Sequence, residues 1–360
     1  MFARLLLIIL CVSAPAIAQS DEIQDRFRRA AELQRQGAWQ EAAEEYRALL
    51  ERAPNYAEAQ ANFGVVLARL GKYDEAVRAY ETALRLNPSL TPVLLNVGIL
   101  HYRAGHFAKA VGPLERFDSI APGNSQARQL LGSSLVELGR DAEAITYLEP
   151  LANSSEIEAA SLYSLGLAYL RLHRQEVMTV VESLKARVNG EALAHLLKGQ
   201  IHLEAFAFEK AVAEFESIKA ELPRQQFLLG VAYHKLGRNA EARKQFEGEL
   251  KRSPDDFLTL YYLALVLDQQ GDSTVARERI ESALKQEPNS VEALALAGGI
   301  ILKQGNAAEA VRFLEQAVER QPENTETRFQ LARAYQKLGR KADAAREFAE
   351  VQRRKARKDQ

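Results

Sequence analysis

Three residue types recur in step along almost the whole chain, and nothing else in the sequence narrows its possible folds so far. A small residue stands at Ala30, Gly64, Gly98, Gly132, Gly166, Gly199, Gly230, Ala264, Gly298 and Ala332. The interval between successive members is constant, except that it shortens slightly on reaching Gly199 and again on reaching Gly230. One helix turn-pair later, glycine occupies eight of the ten places: Gly37, Gly71, Gly105, Gly139, Gly237, Gly271, Gly305 and Gly339. A little beyond that, alanine holds nine of ten: Ala42, Ala76, Ala110, Ala144, Ala211, Ala242, Ala276, Ala310 and Ala344. A fixed period of this length means a stacked array, in which one unit cannot bury its apolar face alone.

Each column has a physical reason. Small residues on facing helices let two backbones approach closely. The second glycine ends a first helix, because only glycine adopts a positive φ at little steric cost. One helical turn after the alanine, on the same face, sits a large apolar side chain such as Tyr46, Tyr80, Phe215, Phe246 or Phe348. Prolines at 54, 88, 122, 223, 254, 288 and 322 stop second helices and start the next repeat.

This order of small residue, turn glycine, alanine, aromatic and proline resembles the tetratricopeptide repeat over roughly residues 23–356. The resemblance implies an all-α, right-handed superhelical solenoid of about ten helix-turn-helix repeats. It also implies that the first helix of each pair lines a concave groove. Residues 19–149 are expected to form an N-terminal stack of about four repeats, and 191–352 a C-terminal stack of about five. Between them, 150–190 breaks the pattern. Pro150 interrupts a second helix, Asn153-Ser154-Ser155 follows like a loop, and His173 takes the turn position. Those residues suit a joint and a single drifted repeat equally well. Phe206 holds the turn position of the sixth repeat, and a basic tail, 353–360, closes the chain.

Positions 1–18 have the form of a signal peptide. Arg4 gives a positive start, Leu5–Val12 is apolar, and Ala16-Ile17-Ala18 has small residues where cleavage needs them. Export to the periplasm or beyond is therefore expected, with an uncleaved membrane anchor as the alternative. Cys11, the only cysteine, lies inside this segment, and the bulky Leu10 before it argues against lipidation. A mature chain would hold no disulfide, thiol nucleophile or thiolate ligand.

Composition excludes several function classes. With 47% hydrophobic and 26% charged residues the chain is neither disordered nor fibrous, and a net charge of −1 gives no general attraction to nucleic acid. After the first segment, no apolar run is long enough to span a membrane. Among the six histidines none forms a His-Glu-x-x-His pair, and no nucleophile elbow or phosphate-binding loop occurs. The expectation is a protein without catalytic residues, metal, cofactor or small-molecule substrate.

The groove is what remains. Asn62 and Asn96 share one first-helix column, and the resemblance implies that such asparagines hold an extended peptide by its backbone amides. Arg69 and Arg103 belong to a basic column with Arg35, Arg171, Lys235, Lys303 and Lys337, suited either to acidic segments or to the carbonyls at helix ends. Phe27, Ala61 and Leu95 in one inner column, and Ala31, Val65 and Ile99 in another, depart from the lysines of a carboxylate clamp. Phe227, Leu258, Tyr261 and Leu265 are expected close together as an apolar patch, with Tyr261 rather than Tyr262 facing the groove. The resulting expectation is an exported scaffold that binds protein or peptide partners during envelope assembly. Alternatives are a structural homo-oligomer and a regulatory subunit of an exported enzyme.

Overall fold

The computed structural model describes residues 14–358, which form twenty α-helices and no strand. Contacts divide the chain into two compact units, Met1–Gly190 and Glu191–Gln360. Unit one holds α1 (Ala14–Gln36), α2 (Trp39–Arg52), α3 (Ala57–Arg69), α4 (Tyr73–Leu86) and α5 (Thr91–Arg103). Then follow α6 (Phe107–Ile120), α7 (Ser125–Glu137), α8 (Asp141–Leu148), α9 (Ala159–Arg171) and α10 (Val177–Lys185). Unit two begins with α11 (Gly190–Glu204), α12 (Phe208–Glu216), α13 (Gln225–Lys235), α14 (Asn239–Arg252) and α15 (Phe257–Gln270). It ends with α16 (Ser273–Gln286), α17 (Val291–Lys303), α18 (Ala307–Arg320), α19 (Thr325–Lys337) and α20 (Lys341–Lys358). Within each unit, odd-numbered first helices pack on the following even-numbered helices, and neighbouring pairs stack in chain order.

One interlock joins the two helices of a pair. A Cβ added at Gly64 would come within 2.6 Å of the Tyr80 ring, and one at Gly98 within 2.5 Å of Leu114. Gly132 sits closer still to Leu148. In unit two the same contact places Gly230 on Phe246 at 2.6 Å, Gly298 on Leu314 at 2.5 Å, and Gly199 tightly against Phe215. In all six the knob stands at the same sequence interval after its glycine. Tyr46, Tyr80, Phe215 and Phe246 are among the largest fully enclosed side chains of the described residues. The core of each unit thus runs along the seam between first and second helices, at the close packing that leaves no room for an added methyl.

The turn between paired helices is also constant. At Gly71, φ is +75°, and Lys72 N donates to Leu67 O at 2.9 Å, the six-to-one bond that closes a helix end. The two repeats without a turn glycine keep this geometry. His173 and Phe206 adopt φ of 54° and 56°, with Arg174 N donating to Tyr169 O and Ala207 N to His202 O, both at 2.8 Å. Holding a side chain in the left-handed region costs about 1–2 kcal/mol. Stacking therefore outweighs local preference at both turns.

In the fourth repeat Pro150 acts as its chemistry requires. Helix α8 stops at Leu148 and a 3₁₀ turn, Glu149–Leu151, carries the proline. Residues 150–190 nevertheless hold a complete helix pair, with α9 packed on both α7 and α8. The expected signal segment lies largely in residues 1–13, outside the described residues. The basic tail continues α20 to Lys358, where Glu350 pairs with Arg353 and Arg354. Among the described residues no helix is long and apolar enough to cross a membrane.

Candidate binding surface on the first helices

In unit one the paired asparagines are committed inside the fold. The Tyr46 phenol donates to Gln34 Oε1 at 3.0 Å and is also bonded by Asn62, on the first helix of the next repeat. Asn96 bonds Tyr80 in the same way. Burial pushes the Tyr46 phenol up to about 12 and outweighs the opposing bond from Asn62. The step from Tyr46 to Asn62 equals that from Tyr80 to Asn96, and asparagine holds this place only where the knob is tyrosine. After Leu114 the position holds Leu130, and after Leu148 it holds Ser164. That correlation within the chain was available as a signal that these asparagines answer tyrosine hydroxyls.

The basic column divides by partner. Arg171 Nη1 donates to Val136 O at 2.8 Å and to Asp141 Oδ1 at 3.2 Å. Lys337 Nζ donates to Leu302 O at 3.1 Å. Each reaches back one repeat to the last turn of the preceding first helix, where the carbonyls lack intrahelical partners. The Arg69 guanidinium lies over the Trp39 ring, 5.7 Å from its centroid. Arg103 is exposed, makes no hydrogen bond or ion pair with the described residues, and lines an open cavity of about 530 Å³. Ile99 and Tyr102 of α5, Gln126 and Leu130 of α7, and Ser161 of α9 share that cavity. Its wall is fixed by Gln129, whose amide donates to Glu156 O at 3.2 Å and accepts from Glu158 N at 2.7 Å.

In unit two the expected apolar patch is split. Phe227 is a correction: it is 7% exposed, a core side chain rather than a groove one. The Tyr262 ring meets it edge-on at 5.7 Å, Phe246 lies 6.1 Å away, and the Arg224 guanidinium covers it at 4.5 Å. Tyr262 also stacks on Phe246 at 5.9 Å, so it packs between helices. Its neighbour Tyr261 lines a cavity of about 300 Å³ together with Leu296 and Gly299 of α17 and Lys303. Leu258 is 41% exposed and Leu265 half-buried, and neither lines that cavity.

His195 belongs to a charged cluster between paired helices. His195 Nδ1 lies 2.7 Å from Glu214 Oε2, and Lys198 Nζ lies 2.5 Å from Oε1 of the same carboxylate. Burial alone would raise the Glu214 carboxyl, but the bonds from Lys198 and His195 outweigh it and hold it below its ordinary value. Arg26–Glu45 at 3.1 Å and Arg328–Glu347 at 2.6 Å occupy the same columns in the first and last repeats. Among the described residues no group of three or more His, Cys, Asp or Glu side chains is arranged to hold a metal ion.

Comparison with known proteins gives the array its relatives. One model of the tetratricopeptide repeat matches residues 27–91, 63–125 and 261–325, a second matches 226–256 and a third 302–359. Among solved structures, a chain of the APC/C hetero-tetramer Cut9–Hcn1 aligns at 14% identity, covering 93% of this chain and 81% of its own, with a TM-score of 0.55. MamA from Desulfovibrio magneticus RS-1 aligns at 20% identity over 47% of this chain and 97% of its own, with a TM-score of 0.45.

Proposed function

This chain is a tetratricopeptide-repeat protein, and on that premise we propose that it is a stoichiometric scaffold which binds peptide segments or partner helices along its first helices. The observation that carries the proposal is the pair of open cavities on those helices, about 530 Å³ in unit one and about 300 Å³ in unit two. Each is walled by side chains of successive first helices and mixes apolar surface with uncommitted polar groups, as recognition sites do. Arg103 in the first and the Tyr261 ring in the second are the side chains best placed to touch a ligand. The structural neighbours support a binding role only by likeness of fold.

The site of action we propose is outside the cytoplasm, in assembly of envelope proteins or complexes. Leu5–Val12 followed by Ala16-Ile17-Ala18 supports export. N-terminal sequencing of the native protein decides this part: a periplasmic form beginning at Gln19 is expected, and soluble cytoplasmic protein with Met1 intact would sink it.

Binding is tested by capture from envelope extract with residues 19–360, beside a variant carrying Arg103→Ala and Tyr261→Ala. Neither replacement disturbs an interlock between paired helices, so the variant should fold. A protein held by the parent and released by the variant is the expected result. Equal retention by both would move the site off the first helices.

A further inference from the structure

Two residues that line the cavity of unit two each carry a buried oxygen that nothing among the described residues satisfies. Asp268, in the last turn of α15, has a side chain only 8% exposed, with Oδ2 held 2.6 Å from Lys303 Nζ. Its Oδ1 is buried without a hydrogen-bond partner. Gln330, on α19, buries Oε1 in the same condition. Both line the cavity that includes Tyr261, and Glu292 and Glu326 stand on its wall. Three carboxylates thus face the single ammonium of Lys303. An acceptor removed from water with no donor costs free energy, so two such acceptors on residues of one cavity call for a group that answers them.

We propose that this cavity receives an arginine side chain from the bound peptide segment. The inference rests on the scaffold reading above and names what unit two recognises. The two orphan acceptors sit on different helices, which suits the planar, five-donor guanidinium better than the compact ammonium of lysine. The Tyr261 ring supplies an aromatic wall for a cation. Carboxylates at 268, 292 and 326 make the site repel acidic segments. Arginine is therefore the side chain whose charge, shape and donors match the cavity at once.

Gly299 gives an independent handle. It lines the same cavity, and a Cβ placed on it would lie 3.1 Å from Gln330 Oε1. Gly299→Leu therefore fills the cavity while leaving every carboxylate in place, and a larger residue inside a helix does not weaken it.

The test is a selection of a phage-displayed random-peptide library on the full chain, followed by fluorescence polarisation with the recovered peptides. Peptides carrying arginine at one fixed position are expected. Replacing that arginine by citrulline should weaken binding at least tenfold, and by lysine several-fold. Asp268→Asn and Gly299→Leu, each checked for helicity by circular dichroism, should lose binding by a similar factor. Recovery of peptides without arginine, equal binding of the citrulline peptide, or indifference to both variants would overturn the arginine site while leaving the scaffold reading standing. Recovery of no peptide would overturn both.

Discussion

Tyr80 closes over Gly64 so tightly that a methyl group on the glycine would lie 2.6 Å from its ring. Alanine in a helix interior normally stabilises by about 1 kcal/mol over glycine. Overpacking against a ring that cannot give way costs about 1–3 kcal/mol. Gly64→Ala should therefore lower stability by about 1 kcal/mol, the contact outweighing the propensity. At Gly71 an added Cβ meets open space, but φ is +75°, so Gly71→Ala should lose about 1 kcal/mol through backbone strain alone. Urea unfolding of the two variants against the parent checks both values, and a gain at Gly64 would refute the interlock.

The bond between Tyr46 and Asn62 spans two repeats, so its loss should appear as coupling between them. Tyr46→Phe and Asn62→Ala are each expected to cost about 1 kcal/mol. The double variant should cost measurably less than their sum, because one bond has been removed twice. Strict additivity would mean that the two side chains act independently.

The buried phenols predict alkaline unfolding. Burial raises the Tyr46 phenol to about 12, and burial together with carboxylate partners does the same for Tyr233 and Tyr335. A pKa higher in the folded state means the fold keeps the proton that the unfolded chain releases. This stability is intact below pH about 10, the ordinary tyrosine value, and is lost as pH rises towards 12. Helicity followed by circular dichroism should fall across that window together with phenolate absorbance. Ionisation of every phenol at the ordinary tyrosine value with helicity intact would contradict the assigned burial.

Glu214 predicts the opposite dependence. Its carboxyl is held below the ordinary glutamate value, so its contribution is present above the unfolded pKa and disappears as pH falls through the folded one. Glu214→Gln should cost about 1.5 kcal/mol at neutral pH and progressively less in acid. A cost independent of pH would show that Lys198 and His195 do not recognise its charge.

His173 and Phe206 hold left-handed turns that glycine would adopt freely. His173→Gly and Phe206→Gly should each raise stability by about 0.5–1 kcal/mol, the relief of strain exceeding the entropy of the added glycine. Thermal unfolding midpoints decide the sign. A loss at Phe206, which is 80% exposed, would reveal a packing role that its exposure does not suggest.

Much of this architecture was legible in the sequence because it depends on intervals within one repeat. Gly64 and Tyr80, or Gly37 and Ala42, lie within half a period of each other, and their spacing survives from repeat to repeat. What lay across a repeat boundary was read less well. Asn62 and Asn96 looked like groove residues because Tyr46 and Tyr80, which they bond, belong to the preceding pair. Phe227 looked exposed because the residues that enclose it, Phe246 and Tyr262, come from two later helices. The unsatisfied oxygens of Asp268 and Gln330 are farther still from sequence reasoning, since an orphan is defined by what fails to reach it.

The constant interval from six first-helix glycines to their knobs bears on how such a chain lengthens over generations. Socket and knob are inherited together, so a segment copied at the gene level arrives already fitted within itself. Only the seams need new matching, at contacts such as Asn62 on Tyr46 or Arg171 on the Val136 carbonyl. The array can therefore gain members by copying, with selection left to refine one boundary at a time.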